Sequence, residues 1–170
     1  MAESPRSSRK AFGTFETVSR SAETTQQLGE QLGGHLAAGD VVALMGELGS
    51  GKTTFIQGLA KGLGVEPGRV KSPTFVLMRE YPGRPPLIHL DGYRLDHAAS
   101  MSWLDLDWVF SAKKVTVIEW ADRCADCLPE DYLELRFVHR TTHQRLFTAT
   151  GHGPRSQCLL EALRKTVHSR

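Results

Sequence analysis

The chain is 170 residues long, enough to close one hydrophobic core and too short for two full domains of ordinary stability. Hydrophobic residues make up 40% and charged residues 24%, a globular balance that excludes a largely disordered chain. With 21 basic and 19 acidic residues the net charge is only +2, so nucleic-acid binding cannot rest on bulk charge and any RNA contact must be local or shared with a partner.

In chain order, "MAESPRSSRK" (1–10) reads as a loose tail; it holds Glu3 and no long amphipathic stretch follows, which argues against a transit peptide. "FGTFETV" (12–18) alternates like a short edge strand. "SAETTQQLGEQLGGHL" (21–36) puts Leu28, Leu32 and Leu36 on one helical face, with a weak capping signal in Ser21, Thr24 and Thr25. The apolar run "VVALM" (41–45) predicts a buried strand, followed at once by a Gly-rich loop and a helix carrying Phe55, Ile56, Leu59, Ala60 and Leu63 and ended by "GLG". "TFVLMREY" (74–81) and "PLIHLDGYRL" (86–95) are strand-like runs around "PGRP", a connection too short for a parallel crossover, so the pair is expected to be antiparallel.

"SMSWLDLDWVF" (100–110) predicts a helix, "KVTVIEW" (114–120) a second buried strand, "YLELRFVH" (132–139) and "RLFTATG" (145–151) alternating outer strands, and "CLLEALRKTV" a final short helix. The sum is an α/β chain: one P-loop NTPase-like domain over residues 11–151, with a mixed parallel and antiparallel sheet and helices on both faces, then a C-terminal extension over 152–170. Cys124, Cys127 and Cys158 form an odd set without a secretory signal, and no apolar segment has the length of a membrane span; the expectation is a cytoplasmic protein.

The chemistry starts at "GELGSGKT" (46–53), where Gly46, Gly51, Lys52 and Thr53 fit the phosphate-loop pattern between a strand and a helix. Glycines let successive backbone amides converge on one anion, and the helix start adds its positive end. Lys52 can reach the β- and γ-phosphates, and the Thr53 hydroxyl can take one position around Mg²⁺. Hydrolysis or transfer further needs an acidic group. Glu119 ends "VTVI" where a parallel neighbour of "VVALM" would deliver it beside Thr53, and Asp91 closes "LIHL" in the same manner. The plainer readings are a solvated strand end for Glu119 and a turn or cap carboxylate for Asp91.

Ser72 and Thr74 in "KSPTF" bracket a proline and can meet a γ-phosphate as a switch segment, or merely start a strand. Tyr93 and Arg94 stand beside Asp91 as core and surface residues, with Arg94 also able to face phosphate. "CADC" (124–127) lacks the second ligand pair that zinc requires, and His139 and His143 straddle a strand end where a solvated loop is the simpler reading.

The series "GELGSGKTTF", "KSPTFVLMREY", "HLDGYRL", "VIEWAD" and "LPEDYLEL" resembles the TsaE (YjeE) family, small ATPases of bacterial tRNA threonylcarbamoyladenosine synthesis, from about Ala22 to Gly151. That resemblance implies ATP and Mg²⁺ as cofactors, with Gly49, Ser50, Gly51, Lys52, Thr53 and Thr54 around the phosphates, Thr53 and Glu119 on the metal, and Asp91 needed for catalysis. It implies too that Trp120 lies near the nucleotide, that Ala22 and His143 belong to its site, and that the loop "TTHQR" (141–145) approaches base or ribose. The family works with TsaD, which transfers the threonylcarbamoyl group, and TsaB, which pairs with it; ATP hydrolysis resets that complex, so contact with tRNA is indirect. Two departures are Ala121, where the family usually has proline, and Asp105, where it commonly has glycine. A stand-alone small-molecule kinase of the P-loop type is the alternative, kept open by the basic "VHRTTHQR"; a GTPase would need an N-K-x-D stretch, which is absent.

Overall fold

A computed structural model describes residues 12–71, 77–94 and 105–168. Ser72 and Thr74 of the expected switch segment, the tail 1–10, and the stretch 95–104 lie outside the described residues.

Seven strands form one sheet: β1 (Gly13–Ser19), β2 (Val41–Gly46), β3 (Met78–Tyr81), β4 (Leu87–Asp91), β5 (Val115–Glu119), β6 (Leu133–His139) and β7 (Arg145–Gly151), in the spatial order β1-β7-β6-β2-β5-β4-β3. The four inner strands β6, β2, β5 and β4 run parallel. β7 and then β1 add antiparallel on one side, and β3 adds antiparallel to β4 on the other, as the short connection requires. Every residue of β4 and β5 is buried, which is why apolar residues occupy both faces of these strands and no strict alternation is seen.

β6 departs from the expectation of an outer strand. It alternates, yet it stands third in the order and pairs directly with β2, Leu135 opposite Leu44. Alternation reports that one face is open to solvent and is silent on whether the strand's edges are paired.

One face of the sheet carries three helices, α1 (Ala22–Gly33), α2 (Lys52–Gly62) and, at the C-terminus, α4 (Pro154–His168). Their Leu32, Phe55, Leu59 and Leu160 close over Val42, Leu44, Val117, Leu135 and Phe147. Ser21 caps α1, its Oγ accepting from the Thr24 amide at 3.0 Å. The C-terminal helix is not the short appendage the sequence pointed to: it has 15 residues, opens with Pro154 at its first position, and buries Leu159, Leu160 and Leu163 in the main core. Among the described residues, α3 (Leu106–Val109) and a 3₁₀ stretch, Ala121–Cys127, pack on the opposite face over Val41, Ala43, Met45, Leu90 and Ile118. Of the helix expected over 100–110, α3 is the described part, and Asp105, in place of the family's glycine, caps it by accepting from the Trp108 amide at 3.1 Å. Among the described residues no helix is long and apolar enough to cross a membrane.

Candidate functional site

Because β2, β5 and β4 are parallel neighbours, their C-terminal ends open on the same edge, the place where α/β sheets bind ligands. Register brings Leu44 opposite Glu119, and Glu119 opposite Asp91. The phosphate loop leaves β2 at this edge and enters α2 at Lys52.

The loop needs its glycines for two distinct reasons. Gly46 and Gly51 hold φ of 143° and 102°, where an L side chain is strained. A Cβ on Gly46 would also stand 2.5 Å from the Phe137 carbonyl oxygen, and one on Gly51 2.9 Å from Arg145 Cδ and Nε. Lys52, 4% exposed, folds over the loop, its Nζ donating to the Gly46 and Glu47 carbonyls at 2.7 and 2.8 Å and lying 4.0 Å from the Trp120 ring centroid. Burial lowers the Lys52 pKa from its ordinary value, opposed by the negative charges of Glu119, Asp122 and Asp91.

Glu119 is 3% exposed and accepts from Thr53 Oγ1, 3.1 Å from Oε1 and 3.3 Å from Oε2. The parallel strand thus delivers this acid beside the threonine that follows the loop's lysine. Asp91, 2% exposed, uses Oδ1 to accept from the Tyr93 amide at 2.9 Å. Trp120 takes a left-handed φ of 55°, unusual for a bulky residue, and packs edge-on against Tyr93 with centroids 5.1 Å apart. The Arg123 guanidinium lies over the Tyr93 ring, 4.7 Å from its centroid.

These groups wall an open cavity of about 790 Å³, lined by Glu47 to Thr54 of the loop and helix start together with Asp91, Tyr93, Glu119, Trp120, Arg123 and Arg145. Of the sequence-derived residues, Gly49, Ser50, Gly51, Lys52, Thr53, Thr54, Asp91, Glu119 and Trp120 come together here. Gly46 lies just behind, shaping the loop. Ala22, the first residue of α1, and His143 are exposed and stand outside this wall; from the loop 141–145 it is Arg145 that lines the cavity. Arg145 Nε is buried without a hydrogen-bond partner, a cationic group turned to the phosphate loop. Tyr93, which the sequence left as core, is 46% exposed at the mouth.

The donor set fits a hard divalent cation. Thr53 and Glu119 offer a hydroxyl and a carboxylate, and magnesium takes few protein oxygens, completing its shell with water and phosphate. Among the described residues no group of three or more His, Cys, Asp and Glu is placed to hold a metal ion. Cys127 instead donates to the Cys124 carbonyl at 2.9 Å within the 3₁₀ stretch, and hydrogen bonding with Cys127 together with burial pushes the Cys124 thiol up, away from thiolate chemistry.

Comparison with known proteins converges on one family. The pattern described as "Threonylcarbamoyl adenosine biosynthesis protein TsaE" matches residues 19–147. The tRNA threonylcarbamoyladenosine biosynthesis protein TsaE of Streptomyces coelicolor is 46% identical over 138 residues, covering 76% of this chain and 92% of the relative. Its namesake from Bacillus subtilis is 37% identical over 142 residues, 83% of this chain and 88% of the relative. The crystal structure of Bacillus subtilis YdiB superposes with a TM-score of 0.78 at 30% identity, over 96% of this chain and all of that one (100%). The phosphate loop, the two strand-end carboxylates and the extent of these matches agree: this chain belongs to the TsaE family.

Proposed function

We propose that the chain binds and hydrolyses ATP in the cavity at the strand ends, and that it acts with TsaD and TsaB in forming threonylcarbamoyladenosine next to the anticodon of tRNA. The observation that carries the ATP reading is the 3.1 Å contact between Thr53 Oγ1 and Glu119 Oε1 at the start of the phosphate-loop helix. Its support on the pathway side is the name shared by the relatives.

In this reading the amides from Gly49 to Thr54 and the α2 N-terminus hold the phosphates. Lys52 exchanges its bonds to the Gly46 and Glu47 carbonyls for the β- and γ-phosphates, and Arg145 adds a second cation from β7. Thr53 and Glu119 would hold Mg²⁺, which when bound neutralises charge on the phosphates. Asp91 orients the attacking water and takes its proton as the bond from the γ-phosphorus to the ADP oxygen breaks. Trp120 and Tyr93 close the side wall and keep Lys52 in place.

A site completed by a partner turns over slowly until the partner arrives, so the isolated chain is expected to be a weak ATPase. ADP production is to be measured for the pure chain with and without TsaB and TsaD from the same source. Stimulation by the pair is the expected result; equal rates with and without them would reject partner dependence. ADP release driven by a small metabolite acceptor in their absence would establish the kinase instead.

A further inference from the structure

A histidine in the middle of an interior parallel strand has to justify its burial. His89 of β4 is wholly inaccessible, in a strand buried at all five positions. Strand periodicity puts Leu87, His89 and Asp91 on one face, the one that carries α2. Because Asp91 stands opposite Glu119 in the β4–β5 register and His89 opposite Val117, His89 and Glu119 are diagonal neighbours on that face. The side chains close the diagonal, with His89 Nε2 2.9 Å from Glu119 Oε1. Tyr81 of β3 closes the other side, its ring centroid 6.4 Å from that of His89.

This bond fixes the tautomer. An ionised carboxylate only accepts, so Nε2 carries the hydrogen. Nδ1 is buried without a partner, which a bare lone pair tolerates better than an N–H does. Both close donors fall on the same oxygen: Oε1 receives His89 at 2.9 Å and Thr53 at 3.1 Å, while Oε2 has only the longer 3.3 Å approach from Thr53. The lone pairs of Oε2 are the ones left for a ligand.

We infer that His89 is a positioning residue of the nucleotide site: its Nε2–H locks the Glu119 carboxylate so that Oε2 and Thr53 Oγ1 are presented together as an oxygen pair for magnesium. This rests on the magnesium-nucleotide reading above. His89 itself touches neither nucleotide nor metal; it acts through Glu119, in the way that outer partners orient metal ligands.

The test is calorimetric titration of the full chain with the β,γ-imido analogue of ATP, once with Mg²⁺ and once with EDTA. The quantity read is the gain in affinity that magnesium brings. His89→Leu keeps an apolar volume but removes the donor, and is expected to lose about tenfold or more of that gain with the EDTA affinity unchanged. His89→Gln, which carries an N–H at similar reach, is expected to recover part of it, whereas His89→Asn, too short to reach Oε1, is not. If His89→Leu does not fold, the Gln and Asn pair decides, and equal gains for the two overturn the inference. A merely structural role would weaken both titrations alike or leave the gain intact, and either result overturns it as well. Should the unsubstituted chain bind the analogue equally in both buffers, the magnesium reading itself falls and this inference with it.

Discussion

Four glycines facing one another across the α1–α2 contact lead to a stability prediction whose sign runs against helix propensity. Gly29 and Gly33 of α1 meet Gly58 and Gly62 of α2, and a Cβ on Gly58 would stand 1.8 Å from the Gln26 carbonyl oxygen. The corresponding distances are 2.1 Å for Gly29 to the Phe55 oxygen, 2.2 Å for Gly33 to the Leu59 oxygen and 2.3 Å for Gly62 to the Glu30 oxygen. Carbon and carbonyl oxygen need about 3.3 Å, so Gly58→Ala must push the helix backbones apart by about 1.5 Å. The obstacle is main chain, which cannot swing aside, so the overpacking cost belongs at the upper end of its usual range, about 3 kcal/mol. Alanine returns about 1 kcal/mol in helix propensity. The net loss is then about 2 kcal/mol, or about 4–8 °C in Tm for a chain of this size. Scanning calorimetry measures it directly. Gly34→Ala is the control, because Gly34 has an ordinary φ of −66° and its added Cβ would meet nothing nearer than 3.5 Å. The control is expected to be neutral or slightly stabilising. A Gly58→Ala chain that melts at or above the native temperature would refute the reasoning.

Lys52→Ala is expected to weaken ATP binding by about tenfold to a hundredfold, the worth of a charge-assisted phosphate contact, as read by calorimetric titration. Asp91→Asn is expected to bind ATP nearly as well but to lose about a hundredfold or more in ADP production in the presence of the partner proteins, and retained turnover would remove Asp91 from the chemistry. Asp131→Ala should cost about 1–2 kcal/mol in urea denaturation, because its carboxylate accepts from the first-turn amides of Arg155 and Ser156 in α4 at 2.8 and 2.9 Å. Burial alone would raise the Asp131 pKa, but the hydrogen bonds from Ser156 and Arg155 prevail and hold it below the usual 3.8. A depressed carboxyl stabilises the fold above its unfolded pKa, so the difference between native chain and Asp131→Ala should be full above about pH 5 and shrink as pH falls through the folded value.

The parts of the fold that could be read from sequence are those where one local rule decides. "GELGSGKT" between an apolar run and an amphipathic stretch places the phosphate loop, and an acid closing each of two apolar runs places Asp91 and Glu119 at strand ends. The five residues between Tyr81 and Leu87 force the β3–β4 hairpin. What escaped depends on neighbours distant in sequence. Gly29, Gly33, Gly58 and Gly62 look like helix weaknesses until two helices touch along them, and then they are the reason that the helices can touch. His89 sat in plain view as the one polar residue before the terminal Asp91 of "LIHLD", but its meaning depends on a diagonal register that only the β4–β5 pairing supplies. Likewise Arg145 was part of a basic loop, and its Cδ and Nε come to the phosphate loop only because β7 lies next to β6 and β6 next to β2.

Four departures from local preference stand at the phosphate-loop end of the sheet, although buried unpartnered atoms also occur elsewhere, at Gln31, His152 and Gln157. Trp120 has a left-handed backbone, Lys52 is buried, and both His89 Nδ1 and Arg145 Nε are buried without partners. The antiparallel strands β1 and β7 are laid out far more simply: a continuous seven-residue register, small hydroxyl side chains meeting at Thr14 and Thr150, and apolar residues toward the helices. Four parallel strands have their C-terminal ends on one edge, so loops that must reverse direction and side chains that must be polar compete there for the same space. A chain selected only for stability would relax that edge, with glycine at 120 and an apolar residue at 89, since each of these features costs free energy where it stands. Each, however, touches the same short path: Trp120 covers Lys52, Lys52 holds the loop carbonyls, Arg145 stands against Gly51, Thr53 follows Lys52, and His89 reaches Thr53 through Glu119. That continuity ties the backbone strain to the site, so Trp120→Gly should relieve the left-handed φ of 55° and raise stability while uncovering Lys52 and lowering nucleotide affinity.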